Sequence, residues 1–217
     1  MIIRENQLLE KIKVENAHYQ PILLYGSNEG LIRENLIKIK KKFEKKTHEE
    51  TSYTGKSIRD HPEVFTDEIQ TISMFDDIKI ICINEPLDKN VDLLQETFKT
   101  LPEKILIILI SDNLTKSSKI RKLFETSDNC LSCANYDDDL KTNSQQIQKL
   151  EKNINKVFDK DIKNYLNQNL STNRMISKNE IDKIELFYLN AEKDPTLYEI
   201  KSIFNDNAET SVNKIAQ

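Results

Sequence analysis

Glycine is scarce in this 217-residue chain, with three in all, and tryptophan is absent. Alongside abundant Lys, Asn and Ile, that scarcity points to a helix-rich protein. Cysteine is equally sparse: Cys82, Cys130 and Cys133 do not make a disulfide framework and suit a reducing cytoplasm. Cys130-x-x-Cys133 has no second pair, whereas zinc asks for four ligands. It also lies in an expected strand, where positions i and i+3 face opposite sides, so both read as buried structural thiols. The longest apolar run, Ile105 to Ile110, is far too short to cross a bilayer. The charged N-terminus MIIRENQLLEKIK has no signal-peptide core. Basic excess is missing too. The formal net charge of −4 argues against a general nucleic-acid binder, although a local basic face remains open.

What is present is organised around Pro21 to Phe43, PILLYGSNEGLIRENLIKIKKKF. Ile22-Leu23-Leu24-Tyr25 has the length of a buried strand. Gly26 punctuates it, Ser27 and Asn28 can cap a helix, and Glu29 suits a first helical turn. Leu31, Ile32, Leu36, Ile39 and Phe43 then recur close to helical spacing. Strand, glycine turn and helix are how a phosphate-binding α/β domain starts.

The chemistry of such a loop is missing. In G-x-x-x-x-G-K-[ST], backbone amides cradle phosphates, the Lys reaches the terminal ones and the hydroxyl holds magnesium. Counted from Gly26, the second glycine falls at Leu31, the Lys at Ile32 and the hydroxyl at Arg33, while Gly30 stands one place early. Asn84, at the end of a later strand, replaces the Asp that an ATPase needs for magnesium. The common reading is a degenerate P-loop at Gly26 and Gly30, an ordinary βα turn that binds no cofactor.

The rest of the first part alternates. An amphipathic helix is expected over Ile2 to Val14, a helix over residues 29–46 and a short edge strand over Glu49 to Gly55. A helix from Asp60 and Pro62 runs to about Ile72, and strands cover Ile78 to Ile83, Lys104 to Ile110 and Asn129 to Asn135. Helices over Asp88 to Lys99 and Ser117 to Glu125 separate them, which implies a mostly parallel sheet with right-handed crossovers. Lys38, Lys40, Lys41, Lys42, Lys45 and Lys46 read as a solvated helix face, with nucleic-acid contact as the alternative. Beyond Tyr136 only helices are signalled: Asn143 to Ile154, Asp159 to Gln168, Ser177 to Asn190, and Thr196 to Phe204 after Asp194-Pro195. Asp137-Asp138-Asp139 reads as a solvated linker. His18, His48 and His61 are scattered, and no catalytic set or metal site stands out.

Five stretches together resemble the delta subunit of the bacterial DNA polymerase III clamp loader. They are ILLYGSNEGLIREN (22–35), ISMFDDIKIICI (72–83), LTKSSKIRKLFE (114–125), NYDDDL (135–140) and NRMISKNEIDKIELFYL (173–189). The resemblance implies an AAA+-like (P-loop NTPase type) three-layer α/β domain over residues 1–137, with a mostly parallel sheet. A small all-helical lid domain over 138–217 would follow. Delta has lost ATP-binding motifs, in agreement with Leu31, Ile32 and Arg33. The family's Ser-Leu-Phe-like motif plugs a hydrophobic pocket of the sliding clamp and helps open the ring. Here it falls on Ser73, Met74 and Phe75, with Met in place of Leu.

The partners implied are the sliding clamp (beta) and, through a collar domain, the other loader subunits (delta prime, tau/gamma). DNA is touched only as part of the complex, and no membrane is involved. The family's collar would lie beyond Gln217, so it is expected to be absent and ring assembly to depend on its being supplied. The expected function is therefore a non-catalytic clamp-opening subunit. Two alternatives are an active AAA+ NTPase, needing a Lys near 32 and an Asp near 84, and a nucleic-acid binder using the Lys-rich helix.

Overall fold

The computed structural model describes residues 1–15, 18–71, 77–189 and 191–204. The chain divides into two compact units, Met1–Tyr136 and Asp137–Gln217.

The first unit is built on a six-stranded sheet: β1 (Ile2–Ile3), β2 (Ile22–Tyr25), β3 (His48–Thr54), β4 (Ile78–Asn84), β5 (Ile105–Ser111) and β6 (Leu131–Ala134). The order is β1-β6-β2-β5-β4-β3, and every pairing is parallel. Parallel strands need crossovers, and helices supply them on both faces. Side chains alternate accordingly. Ile22 and Leu24 of β2, Ile78, Ile80 and Cys82 of β4, and Leu106 and Ile108 of β5 enter one core. Helices α1 (Glu5–Lys11) and α2 (Glu29–Lys42) cover it with Leu8, Ile32 and Ile39. Leu23, Tyr25, Ile81, Ile83, Ile107 and Leu109 enter the other. That face carries α3 (Gly55–Asp60), α4 (Pro62–Gln70), α5 (Val91–Lys99) and α6 (Lys119–Thr126). Each buried Ile or Leu contributes about 1.5–3 kcal/mol, so the Ile/Leu runs of β4 and β5 hold the three layers together. Cys133 lies in β6 and enters one core, while Cys130, just before that strand rather than in it, enters the other.

β3 is the edge. Its sequence HEETSYT alternates exposed and half-buried residues, a polar strand that discourages pairing with another chain.

In the second unit, α7 (Leu140–Ile154), α8 (Lys160–Asn169) and α9 (Arg174–Tyr188), with a helical stretch at residues 197–204, surround a core that includes Ile147, Leu150, Ile162, Leu166 and Ile184. The helices start on Asp139, Asp159 and Asn173, whose side chains each accept a first-turn amide.

Five expectations are corrected. Residues 2–14 are not one helix, because Ile2–Ile3 pairs with Ser132 and Cys133 as β1 before α1 begins. Helix 29–46 stops at Lys42. The last helix begins at 197, with the Thr196 hydroxyl accepting the Glu199 amide, so Pro195 stands before the cap. The lysine run is not simply solvated. Lys38 pairs with Glu34 and Glu5, Lys40 with Glu50, Lys42 bonds the Leu9 and Ile12 carbonyls, and Lys46 bonds the Val14 carbonyl. Nor is the aspartate triplet a solvated linker. Asp138 is buried in a bidentate pair with Arg174, Nε to Oδ2 at 2.6 Å and Nη2 to Oδ1 at 2.8 Å.

Candidate functional site

The β2–α2 turn lies at the C-terminal edge of the sheet, where open α/β folds place their ligands. Gly26 adopts φ +147°, a conformation that L side chains avoid. A Cβ there would sit 1.9 Å from the carbonyl oxygen of Asn135, so the turn is pressed against the residue that follows β6. Asn135 is fully buried and fastens the contact. Its carbonyl accepts the Asn28 amide at 3.1 Å, its own amide donates to the Tyr25 carbonyl at 2.7 Å, and Nδ2 donates to the Cys133 carbonyl at 2.9 Å. Asn35 of α2, also buried, donates through Nδ2 to Asn135 Oδ1 at 2.7 Å.

The helix N-terminus is engaged as well. Asn28 is the N-cap of α2, and its Oδ1 accepts the Leu31 amide at 3.1 Å. Leu31 and Ile32, standing where the loop glycine and lysine would be, are buried in the core. Gly30 is buried inside the first turn of α2 rather than forming a cradle ahead of it.

A cleft of about 270 Å³ opens beside this turn, lined among others by Glu29, Arg33, Asn84, Glu85, Ser111 and Asp112. Three carboxylates face one guanidinium there, so its charge opposes a polyphosphate. These residues do not fit a nucleoside triphosphate. Two of the amides that would cradle its phosphates are engaged, Asn28 N–H with the Asn135 carbonyl and Leu31 N–H with Asn28 Oδ1, and Ile32 and Arg33 stand where the phosphate-reaching Lys and the magnesium-holding hydroxyl would be.

Ser73, Met74 and Phe75 lie outside the described residues. Their flanks are described. α4 ends at Gln70 with Thr71 as its C-cap, and β4 begins at Ile78. This connection enters β4 from the N-terminal edge, opposite to the Gly26 turn. Asp77 Oδ2 accepts the Thr47 amide at 3.2 Å and its hydroxyl at 3.1 Å, and the Asp77 amide donates to the Thr47 carbonyl at 2.9 Å.

Sequence reasoning passed over Asn35, Asn135 and Lys79. Asn35 and Lys79 carried a signal: Asn35 stands one turn from both Leu31 and Ile39 on the apolar stripe of α2, and Lys79 interrupts an apolar strand run. Asn135 looked like a strand end.

Sheet order, three layers and a closed βα turn define an α/β domain of the AAA+ type carrying a degenerate nucleotide loop, with a helical unit after it. The sequence profile described as "DNA polymerase III, delta subunit" matches residues 22–134, more than half of the chain. The chain belongs to that family. No curated protein matches it by sequence. Among solved structures, the Bacillus subtilis DNA clamp loader delta protein superposes with a TM-score of 0.60 at 14% identity, over 91% of this chain and 61% of that one. AMPPCP-bound DnaA from Aquifex aeolicus superposes with a TM-score of 0.50 at 16% identity, over 85% and 61%. At these identities the likeness concerns the fold, and this chain spans about three fifths of the length of either protein.

Proposed function

We propose that this chain binds the sliding clamp through Met74 and Phe75 and opens it, acting as the non-catalytic delta component of a clamp loader. The observation that carries the reading is the family match over residues 22–134, which includes the 73–75 segment. The nucleotide edge supports it, since Ile32, Arg33 and Asn84 stand where ATP chemistry asks for Lys, a hydroxyl and Asp. The engaged lysines in and just after α2 speak against the nucleic-acid alternative. Lys38, Lys40, Lys42 and Lys46 have partners within the first unit, leaving a weaker basic stripe than the sequence suggests.

Mechanistically, the two apolar side chains enter a hydrophobic pocket on the clamp. Burying both contributes roughly 3–6 kcal/mol, a large share of the about 8 kcal/mol of a micromolar contact. Opening needs no nucleotide in this chain. If the contact is better made with the open ring, the closed–open equilibrium shifts by that difference in affinity. The second unit is read as the lid, and contacts with the other loader subunits are assigned to a collar.

The test is clamp release from circular DNA without ATP. The chain is expected to accelerate the loss of labelled clamp in proportion to its occupancy. Binding without acceleration would remove the opening step, and absence of binding would remove the whole reading.

A further inference from the structure

Lys79 is the only charged residue between Ile78 and Asn84, in a strand otherwise buried on both faces. Its side chain is 7% exposed and lies on the face of Ile81 and Ile83, which α4 covers. A buried ammonium is costly unless all three donors find acceptors. Here Nζ meets Glu68 Oε1 at 2.8 Å, the Glu68 carbonyl at 3.1 Å, the Thr71 carbonyl at 3.0 Å and Glu49 Oε2 at 3.5 Å. The two carbonyls belong to the end of α4, where a helix has no internal donors left and its dipole favours a cation. Glu68 is held a second time by the Thr51 hydroxyl of β3 at 3.1 Å.

The sheet therefore grips both ends of the five-residue stretch between Thr71 and Asp77. Lys79 of β4 holds the Thr71 side, and Thr47, immediately before β3, holds the Asp77 side through its amide, carbonyl and hydroxyl. A hydrophobic segment on a loose stem must be ordered when it binds, at a cost in backbone entropy for every residue fixed. Fixing its ends beforehand removes part of that cost. A methionine could fill the space of Lys79 with little loss of stability, because buried ion pairs often do no better than apolar groups of similar volume.

We propose that Lys79 and Thr47 are positioning residues for clamp binding, fixing the two ends of the stretch that carries Met74 and Phe75. This rests on the clamp-binding reading above. Neither residue touches the clamp. Each acts by holding Thr71 or Asp77 in place.

The experiment compares the full chain with three variants at a temperature where all are folded. The first is Lys79→Met combined with Glu68→Gln, so that the less exposed of the two carboxylates on Lys79 is not left without its partner. The second, Thr47→Val, weakens the other anchor from the exposed side by removing its hydroxyl bonds to Asp77 while the two backbone bonds stay. The third, Met74→Ala with Phe75→Ala, tests the contact itself. Clamp affinity is expected to fall about tenfold in each anchor variant, equivalent to 1.4 kcal/mol, with amide exchange accelerating at Thr71 and Asp77 but not in β5. Lys79→Arg, which keeps the charge, should retain most of the affinity. A role confined to stability would leave the affinity of folded protein unchanged. Unchanged affinity in both anchor variants, beside lost binding in Met74→Ala/Phe75→Ala, overturns the positioning role and leaves the clamp reading intact. Full binding by Met74→Ala/Phe75→Ala overturns the clamp reading and this inference with it.

Discussion

The two edges of the sheet in the first unit are built on opposite plans. At the C-terminal edge, Gly26, Asn28, Asn35 and Asn135 bond one another and close the turn where a nucleotide would sit. At the N-terminal edge, Lys79 bonds the Thr71 carbonyl and Thr47 bonds Asp77, at the two ends of the α4–β4 connection. The first edge directs its polar groups inward, to stability. The second places them on the flanks of a helix-to-strand connection. The difference teaches where to look for function in a fold whose usual ligand turn is closed: at the other edge, where one charged side chain, Lys79, is buried in an apolar strand.

Stability measurements sharpen the contrast. The largest loss is expected at the closed edge, from Gly26→Ala. Its Cβ would overlap the Asn135 carbonyl and its φ suits only glycine, so urea unfolding should show a loss above about 3 kcal/mol. Asn35→Ala should cost about 1–3 kcal/mol, because Asn135 Oδ1 would lose its buried donor. Thr47→Val, at the exposed anchor, should stay within about 0.5 kcal/mol of wild type in the same assay. Equal losses at Asn35 and Thr47 would erase the distinction between the edges. Calorimetric titration with Mg-ATP is expected to give no heat beyond dilution. Micromolar binding would show that the Gly26 turn opens for phosphate after all.

The smallest effect is in pH. The hydrogen bond from Lys79 holds the Glu68 carboxyl below its ordinary value of 4.5. The unfolded chain therefore takes up that proton first on acidification, so the contribution is fully present above 4.5 and fades as the pH falls through the lower folded value. Amide protection in the last turn of α4 should decline over that range before protection in β5 does. A simultaneous decline would detach Glu68 from the anchor. Cys133, by contrast, is pushed up to about 11 by burial, so it should resist alkylation in the folded protein at neutral pH.

The strands were legible because β2, β4, β5 and β6 are apolar runs bounded by turn residues, and the degenerate loop because Leu31, Ile32 and Arg33 occupy fixed positions in a motif. Two short elements were not. Ile2–Ile3 is too brief to show a period, and α3 begins on Gly55 with Ile58 as its only buried apolar residue. Long side chains misled more. Local composition describes Lys42, Lys46 and Asp138 as solvent-facing, while their partners, Ile12, Val14 and Arg174, lie at sequence distances that no periodicity reports. At the candidate site, Ser73, Met74 and Phe75 were reached only through family resemblance. A short apolar turn after a helix otherwise reads as core packing.

The central claim is that Met74 and Phe75 form the clamp contact, and clamp affinity in the wild type and in Met74→Ala/Phe75→Ala tests it most directly. At about 1.5–3 kcal/mol for each side chain, the double variant should bind at least about a hundredfold more weakly, with its melting temperature nearly unchanged. A double variant that unfolds readily, yet binds the clamp as tightly as wild type per folded molecule, would place both residues in the core and contradict the account.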